Sequence, residues 1–144
     1  MKIKSFARPV ADGAGNIPAK KNLSVRVTIR TSQNVLDAIK VFMVKEGISP
    51  RKRSLWINEA IEKTHARLLA IRKSASTPEE MTIPLEEIIL AYPPSDSSEQ
   101  LFIRLDSDVN GMCEFWGDLL QQSGVELPDT ASRLIHISIL EAMN

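Results

Sequence analysis

Side chains that could read the edges of DNA bases alternate with apolar residues in two short segments of the sequence. The first segment, 25–30, reads Val-Arg-Val-Thr-Ile-Arg, and the second, 101–106, reads Leu-Phe-Ile-Arg-Leu-Asp. Arginine can make a bidentate contact to guanine, while threonine and phenylalanine can contact the methyl group of thymine. The alternating positions that carry such side chains include Arg26, Thr28, Arg30, Phe102 and Arg104. The alternative for Arg26 and Arg30 is that they are charges on an exposed edge strand, where they prevent aggregation.

A second group of residues could bind phosphate. Three consecutive cations, Arg51, Lys52 and Arg53, lie between Ser49 and a helix predicted to open at Ser54. The free N–H groups and the positive dipole end of a helix N-terminus attract anions. The candidate phosphate-binding residues are Ser49, Arg51, Lys52, Arg53 and Ser54, together with Lys20 and Lys21 of a basic N-terminal segment. The alternatives are an ordinary capped helix with a solvated turn, and a basic segment that binds nothing.

Other kinds of chemistry have little support in the sequence. His65 and His136 are isolated and lack cysteine or aspartate partners at the spacing of metal ligands, so no metal site is predicted. Cys113 lies on a predicted apolar stripe without an evident base, which indicates a small core residue. Neither a glycine-rich phosphate loop nor a catalytic pair of carboxylates stands out. We therefore expect no cofactor and no enzymatic activity.

The elements that must position these residues occur twice along the chain. The first copy is a strand over 23–31, a helix from about Gln33 to Glu46 with Ser32 as its N-cap, Gly47, and a helix from Ser54 to near Ser74. The second is a strand at 101–106, a helix near 108–123, Gly124, and a helix from about Asp129. The predicted organisation is a flexible basic arm at 1–22, a first unit at 23–73, a connector at 74–98 with a short helix over 84–92, and a second unit at 99–144.

A unit of this size with one strand cannot bury enough surface by itself, and its strand would be left unpaired. Both problems disappear if the two strands pair antiparallel and the helices of both units pack together. This arrangement predicts that residues near Val27 and Ile103 lie side by side, with Arg26, Arg30 and Arg104 on one outward surface.

The repeated pattern resembles the ribbon-helix-helix superfamily, the fold of the Arc, MetJ and CopG repressors. The strongest local match is Gly47-Ile48-Ser49 followed by Ser-Leu-Trp-Ile-Asn-Glu-Ala-Ile at 54–61, although the turn at 50–52 is about three residues longer than is common in that family. The resemblance implies a mostly α fold with a two-stranded antiparallel β-ribbon, here a tandem pseudo-dimer within one chain. It also implies binding to double-stranded DNA through the ribbon in the major groove. By position, it makes the candidate base-reading residues Arg26, Thr28, Arg30, Phe102 and Arg104. Tandem versions resemble the accessory proteins of bacterial conjugation and plasmid transfer.

The charge distribution divides the chain into two halves. Residues 1–73 hold 16 Lys and Arg against 5 Asp and Glu, whereas residues 74–144 hold 2 against 13. Such a split favours a polyanion as partner of the basic half, although two faces that merely attract each other would give the same totals. The alternative function is an antitoxin-like interaction module whose acidic C-terminal half binds a basic partner. In the DNA-binding case, that half could contact other DNA-processing proteins, and further self-association is possible.

The cellular setting is predicted from what the sequence contains. A single cysteine rules out an internal disulfide and suits a reducing compartment. No apolar run approaches the ~20 residues that span a bilayer. Together with the resemblance, these features predict a bacterial cytoplasmic protein that acts in DNA transfer or in transcription regulation.

Overall fold

The computed structural model describes residues 24–77, 80, 94, 96–122 and 130–144, and the structural statements below concern these residues. The protein is mostly helical with one two-stranded antiparallel sheet. The elements in chain order are β1 (Ser24–Thr31), α1 (Gln33–Glu46), a 3₁₀ helix (Pro50–Lys52), α2 (Arg53–Ser74), β2 (Glu99–Asp106), α3 (Ser107–Gln122) and α4 (Thr130–Ala142). The predicted basic arm, the connector segment 84–92 and the second turn at 124–129 lie outside the described residues.

The ends of α1 follow from two local signals in the sequence. Ser32, whose backbone is extended, is the N-cap. Its hydroxyl accepts a hydrogen bond of 3.2 Å from the backbone N–H of Val35. At the other end, Gly47 adopts φ 71°, a left-handed conformation that glycine reaches without steric cost. The N–H of Ile48 then donates to the carbonyl of Met43 at 2.8 Å, which closes the helix. The predicted bounds of α1 are therefore confirmed.

The two strands pair in the predicted antiparallel arrangement. Val27 is the register partner of Ile103, and the pairing extends from Ser24 opposite Asp106 to Thr31 opposite Glu99. On the inner face of the ribbon, Leu101, Ile103 and Leu105 of β2 are all buried. The expectation that residues near 27 and 103 are neighbours is confirmed.

The core contains residues from both halves of the chain. Ile29 and Ile57 of the first half belong to the same buried cluster as Leu105 and Trp116 of the second. Among the helix pairs, α2 packs most extensively on α4. The indole N–H of Trp116 donates to Nδ1 of His65 on α2 at 2.9 Å, so even the polar edge of this large core residue joins the halves. The two halves thus share one hydrophobic core.

Among the helices that the structure describes, none combines the length and the apolar character needed to cross a membrane.

Candidate nucleic-acid interface

The outer face of the ribbon carries all five of the predicted base-reading residues. The period of two in a strand directs alternate side chains away from the helices, and all five are exposed. Thr28 lies opposite Phe102, whose side chain is 64% exposed, and Arg30 lies opposite Gln100. An exposed phenylalanine between polar residues is available for contact with an apolar group such as a thymine methyl.

Arg26 and Arg104 are direct register partners in the middle of this face. Like charges directly opposite each other on an antiparallel pair destabilise the sheet. In the part of the chain that the structure describes, neither arginine takes part in an ion pair. Nη1 of Arg104 donates instead to the hydroxyl of Ser24 at 3.0 Å. Arg26 and Arg104 therefore lie opposite each other on an exposed face, where two like charges cost stability.

The first turns of α2 cover the outer edge of β2. Arg53 donates through Nη2 to the carbonyl of Phe102 at 2.9 Å, and the Ser54 hydroxyl accepts from the backbone N–H of Arg104 at 3.3 Å. Asn58 donates to the carbonyl of Arg104 at 3.1 Å and accepts from the N–H of Asp106 at 2.9 Å. These contacts satisfy backbone groups that an edge strand would otherwise leave unpaired, and they fix α2 against the ribbon.

Two features of this arrangement bear on the predicted phosphate site, which stays a prediction. Helical structure begins at Pro50 rather than Ser54, and the N–H groups of Lys52 and Arg53 already donate to the carbonyls of Ser49 and Pro50. Arg53 and Ser54 are half-buried and dock the helix on β2, while phosphate binding by these two residues stays a prediction.

The rest of the predicted phosphate-binding set is divided between two parts of the chain. Ser49, Arg51 and Lys52 are exposed in the turn, while Lys20 and Lys21 lie outside the described residues. Arg51 and Lys52 therefore remain the strongest phosphate-binding candidates that the structure describes.

A depression of about 450 Å³ lies between the ribbon and the first turn of α2. It extends over both strands, and four of the candidate base readers contribute to its lining together with Ser54; the lining residues are Arg26, Val27, Thr28, Ser54, Phe102, Ile103 and Arg104. The guanidinium and hydroxyl groups in this lining can donate hydrogen bonds to base edges. The aromatic ring can contact the methyl group of thymine.

Burial shifts the pKa values of two side chains outside this face, Cys113 and His136. Desolvation, with a smaller contribution from Glu114, raises the pKa of the Cys113 thiol to about 12, which keeps it protonated. Burial likewise lowers the pKa of His136, whose Nε2 lies 3.3 Å from the Thr31 hydroxyl. Within the described ranges, no group of three or more His, Cys, Asp or Glu side chains could hold a metal ion.

Two residues of this site were missed by the sequence reasoning. Gln100 is exposed opposite Arg30, and extending the alternation of Phe102 and Arg104 back by one step would have found it. Asn58 is 4% exposed and follows buried Ile57 on α2. In the sequence, only its position beside the apolar stripe of the helix indicated that Asn58 is buried.

No protein-family model, curated protein or solved structure matches this chain. The geometry and chemistry of the chain itself are therefore what indicate its function.

Proposed function

We propose that this protein is a non-enzymatic, sequence-specific binder of double-stranded DNA that inserts its β-ribbon in the major groove. The observation that carries the proposal is the direct opposition of Arg26 and Arg104 on an exposed ribbon face. A cross-strand pair of cations costs stability unless a polyanion neutralises it. Thr28 and Phe102 beside this pair add a donor and an apolar contact, so the face carries groups that distinguish bases as well as charge.

The dimensions of the ribbon support the same proposal. Adjacent strands are about 4.8 Å apart, and with side chains a two-stranded ribbon is accommodated by the major groove, which is about 12 Å wide. Alternate side chains along a strand are roughly 6.6 Å apart, close to two steps of about 3.4 Å along a DNA strand. The spacing of outward residues such as Arg26, Thr28 and Arg30 therefore matches that of every second base pair.

We further propose that the fold is a tandem ribbon-helix-helix pseudo-dimer in one chain. Each half of the described structure runs strand, helix, helix, the two strands pair with each other, and both halves contribute to one core. In this assignment Arg51 and Lys52, in the turn between α1 and α2, bind phosphates that flank the base contacts. Such contacts fix the orientation of the protein without reading sequence.

A bacterial cytoplasmic setting, with a role as a plasmid-transfer accessory factor or a transcriptional repressor, completes the proposal by analogy with tandem members of that superfamily. Both roles need the same property, recognition of a defined duplex site. The analogy alone favours the transfer role.

The decisive experiment measures duplex affinity against salt concentration for the full chain, for an Arg26→Ala/Arg30→Ala variant and for a matched Lys63→Ala/Lys73→Ala variant. The control removes the same charge from exposed positions on later turns of α2. A DNA reader should show a steep negative slope of log affinity against log salt, with each neutralised phosphate contributing about −0.9. The arginine variant should bind less tightly and lose its preference between sequences, while the control keeps that preference.

Two results would overturn the proposal. The first is an affinity for duplex that is weak and independent of salt. The second is an equal effect of the arginine and lysine variants on sequence preference. If the wild-type chain instead captures a basic protein through its acidic half and retains no duplex, the antitoxin-like alternative is favoured.

A further inference from the structure

The register of the ribbon has an approximate two-fold symmetry that its outer side chains break. Val27 pairs with Ile103, Val25 with Leu105 and Ile29 with Leu101. In the internal repeat, Val25, Val27 and Ile29 are equivalent to Leu101, Ile103 and Leu105. Exchanging the two halves therefore maps the strand ladder onto itself about an axis through the Val27–Ile103 pair.

The outward residues related by this axis have unlike chemistry. Arg26 is equivalent to Phe102, Thr28 to Arg104, and Arg30 to Asp106, and all six are exposed. A cation thus corresponds to an aromatic ring in one case and to a carboxylate in another. The apolar inner residues keep their type under the same exchange, so the symmetry is preserved in the core and lost on the face that would meet a ligand.

The two ends of the ribbon consequently present different contacts. On one side of the axis, Arg26 lies opposite Arg104. Beyond them Ser24 lies opposite the exposed Asp106, and the Ser24 hydroxyl accepts a hydrogen bond of 3.0 Å from the Arg104 guanidinium. On the other side, Thr28 lies opposite Phe102, followed by Arg30 opposite Gln100. Paired arginines suit guanines on the first side. Threonine and phenylalanine suit thymine methyl groups on the second, where glutamine suits adenine.

We infer that the target is a duplex site without two-fold symmetry, bound by one chain in one orientation. Its half beneath Arg26 and Arg104 contains guanine, and its half beneath Thr28 and Phe102 contains thymine. This inference rests on the proposed function. Its physical reason is that a symmetric protein matches a palindrome because equivalent side chains meet equivalent bases, a condition that this ribbon does not meet.

The experiment selects bound duplexes from a randomised library with the full chain, and repeats the selection with Arg26→Ala and with Phe102→Ala. Both side chains are exposed, so neither substitution opens a cavity in the core. Wild type should enrich a motif with no dyad. Arg26→Ala should relax only the guanine half and Phe102→Ala only the thymine half, each reducing discrimination there by roughly 5- to 150-fold.

Orientation is tested independently by directed cleavage. A Glu46→Cys variant carries an iron chelate at the exposed end of α1, and the unsubstituted chain is the control because Cys113 is buried. Cleavage at one flank of the selected motif supports the inference. A palindromic motif, equal relaxation of both halves by either variant, or cleavage at both flanks overturns it while leaving duplex binding intact. Failure to retain any duplex overturns the proposed function as well.

Discussion

The side chain of Asn58, in the second turn of α2, donates a hydrogen bond of 3.1 Å to the main-chain carbonyl of Arg104. The same amide accepts from the N–H of Asp106 and donates to the carbonyl of Ser54 at 2.7 Å. One buried amide therefore connects the start of α2 with two alternate residues of β2. This contact sets the position of the basic turn at 50–52 relative to the outer face of the ribbon.

Replacing Asn58 with alanine should destabilise the fold by about 1–3 kcal/mol, because it removes the partner of backbone groups in a partly buried strand edge. Urea unfolding at equilibrium would measure the change in the free energy of unfolding. Asn34→Ala is the matched control, since Asn34 is exposed on α1 and should change stability by less than about 0.5 kcal/mol. Equal effects of the two substitutions would show that the Asn58 contacts contribute nothing specific.

The Asn58 contact also marks the boundary of what the sequence could predict. The helix bounds at Gln33–Glu46 and the left-handed Gly47 depend on neighbours within a few residues, and they were predicted correctly. The Val27–Ile103 pairing was also predictable, because a repeat with one strand per unit has few other ways to pair its strands. These features follow from local rules and from the repeat.

The docking of Arg53, Ser54 and Asn58 on β2 was not predictable in the same way. Each bond joins residues 46 to 50 positions apart, and its geometry depends on how α2 packs. The start of helical structure at Pro50 was not predicted either, because a 3₁₀ helix of three residues is too short to show an apolar period. The three consecutive cations therefore indicated a turn.

The exposed cations of the turn should contribute affinity without specificity. For an Arg51→Ala/Lys52→Ala variant we expect duplex affinity to fall by a similar factor on every sequence, with the salt slope reduced by about 2 if each residue binds one phosphate. Affinity titrations on a preferred and a scrambled duplex at several salt concentrations would measure both quantities. Lys63→Ala/Lys73→Ala again provides the charge control. A selective loss on the preferred duplex would instead assign Arg51 or Lys52 to base reading.

His136 should make stability depend on pH. Burial lowers the pKa of this group in the folded protein below its ordinary value of 6.5, so the unfolded chain takes up the proton first as pH falls. Stability is thus fully present above about pH 6.5 and decreases from there down to the folded-state pKa. Urea unfolding of wild type and of His136→Gln would be compared between about pH 5 and 8, where histidine changes its charge. The difference in free energy of unfolding should shift in favour of the variant as the pH falls. A difference that stays constant with pH would contradict this linkage.

Cys113 should react with thiol reagents only when the protein opens. Its side chain is fully buried on α3, and its pKa of about 12 leaves almost no thiolate near neutral pH. We expect labelling by a disulfide reagent at pH 8 to be slow in buffer and fast in urea, whereas the exposed cysteine of Glu46→Cys labels at once in both. Because the thiol must first leave the shared core, the labelling rate in buffer should increase in Asn58→Ala by the same factor as the equilibrium constant of unfolding. A rate that is unchanged in that destabilised variant would mean that a local opening of α3, independent of the α2–β2 contact, exposes the thiol.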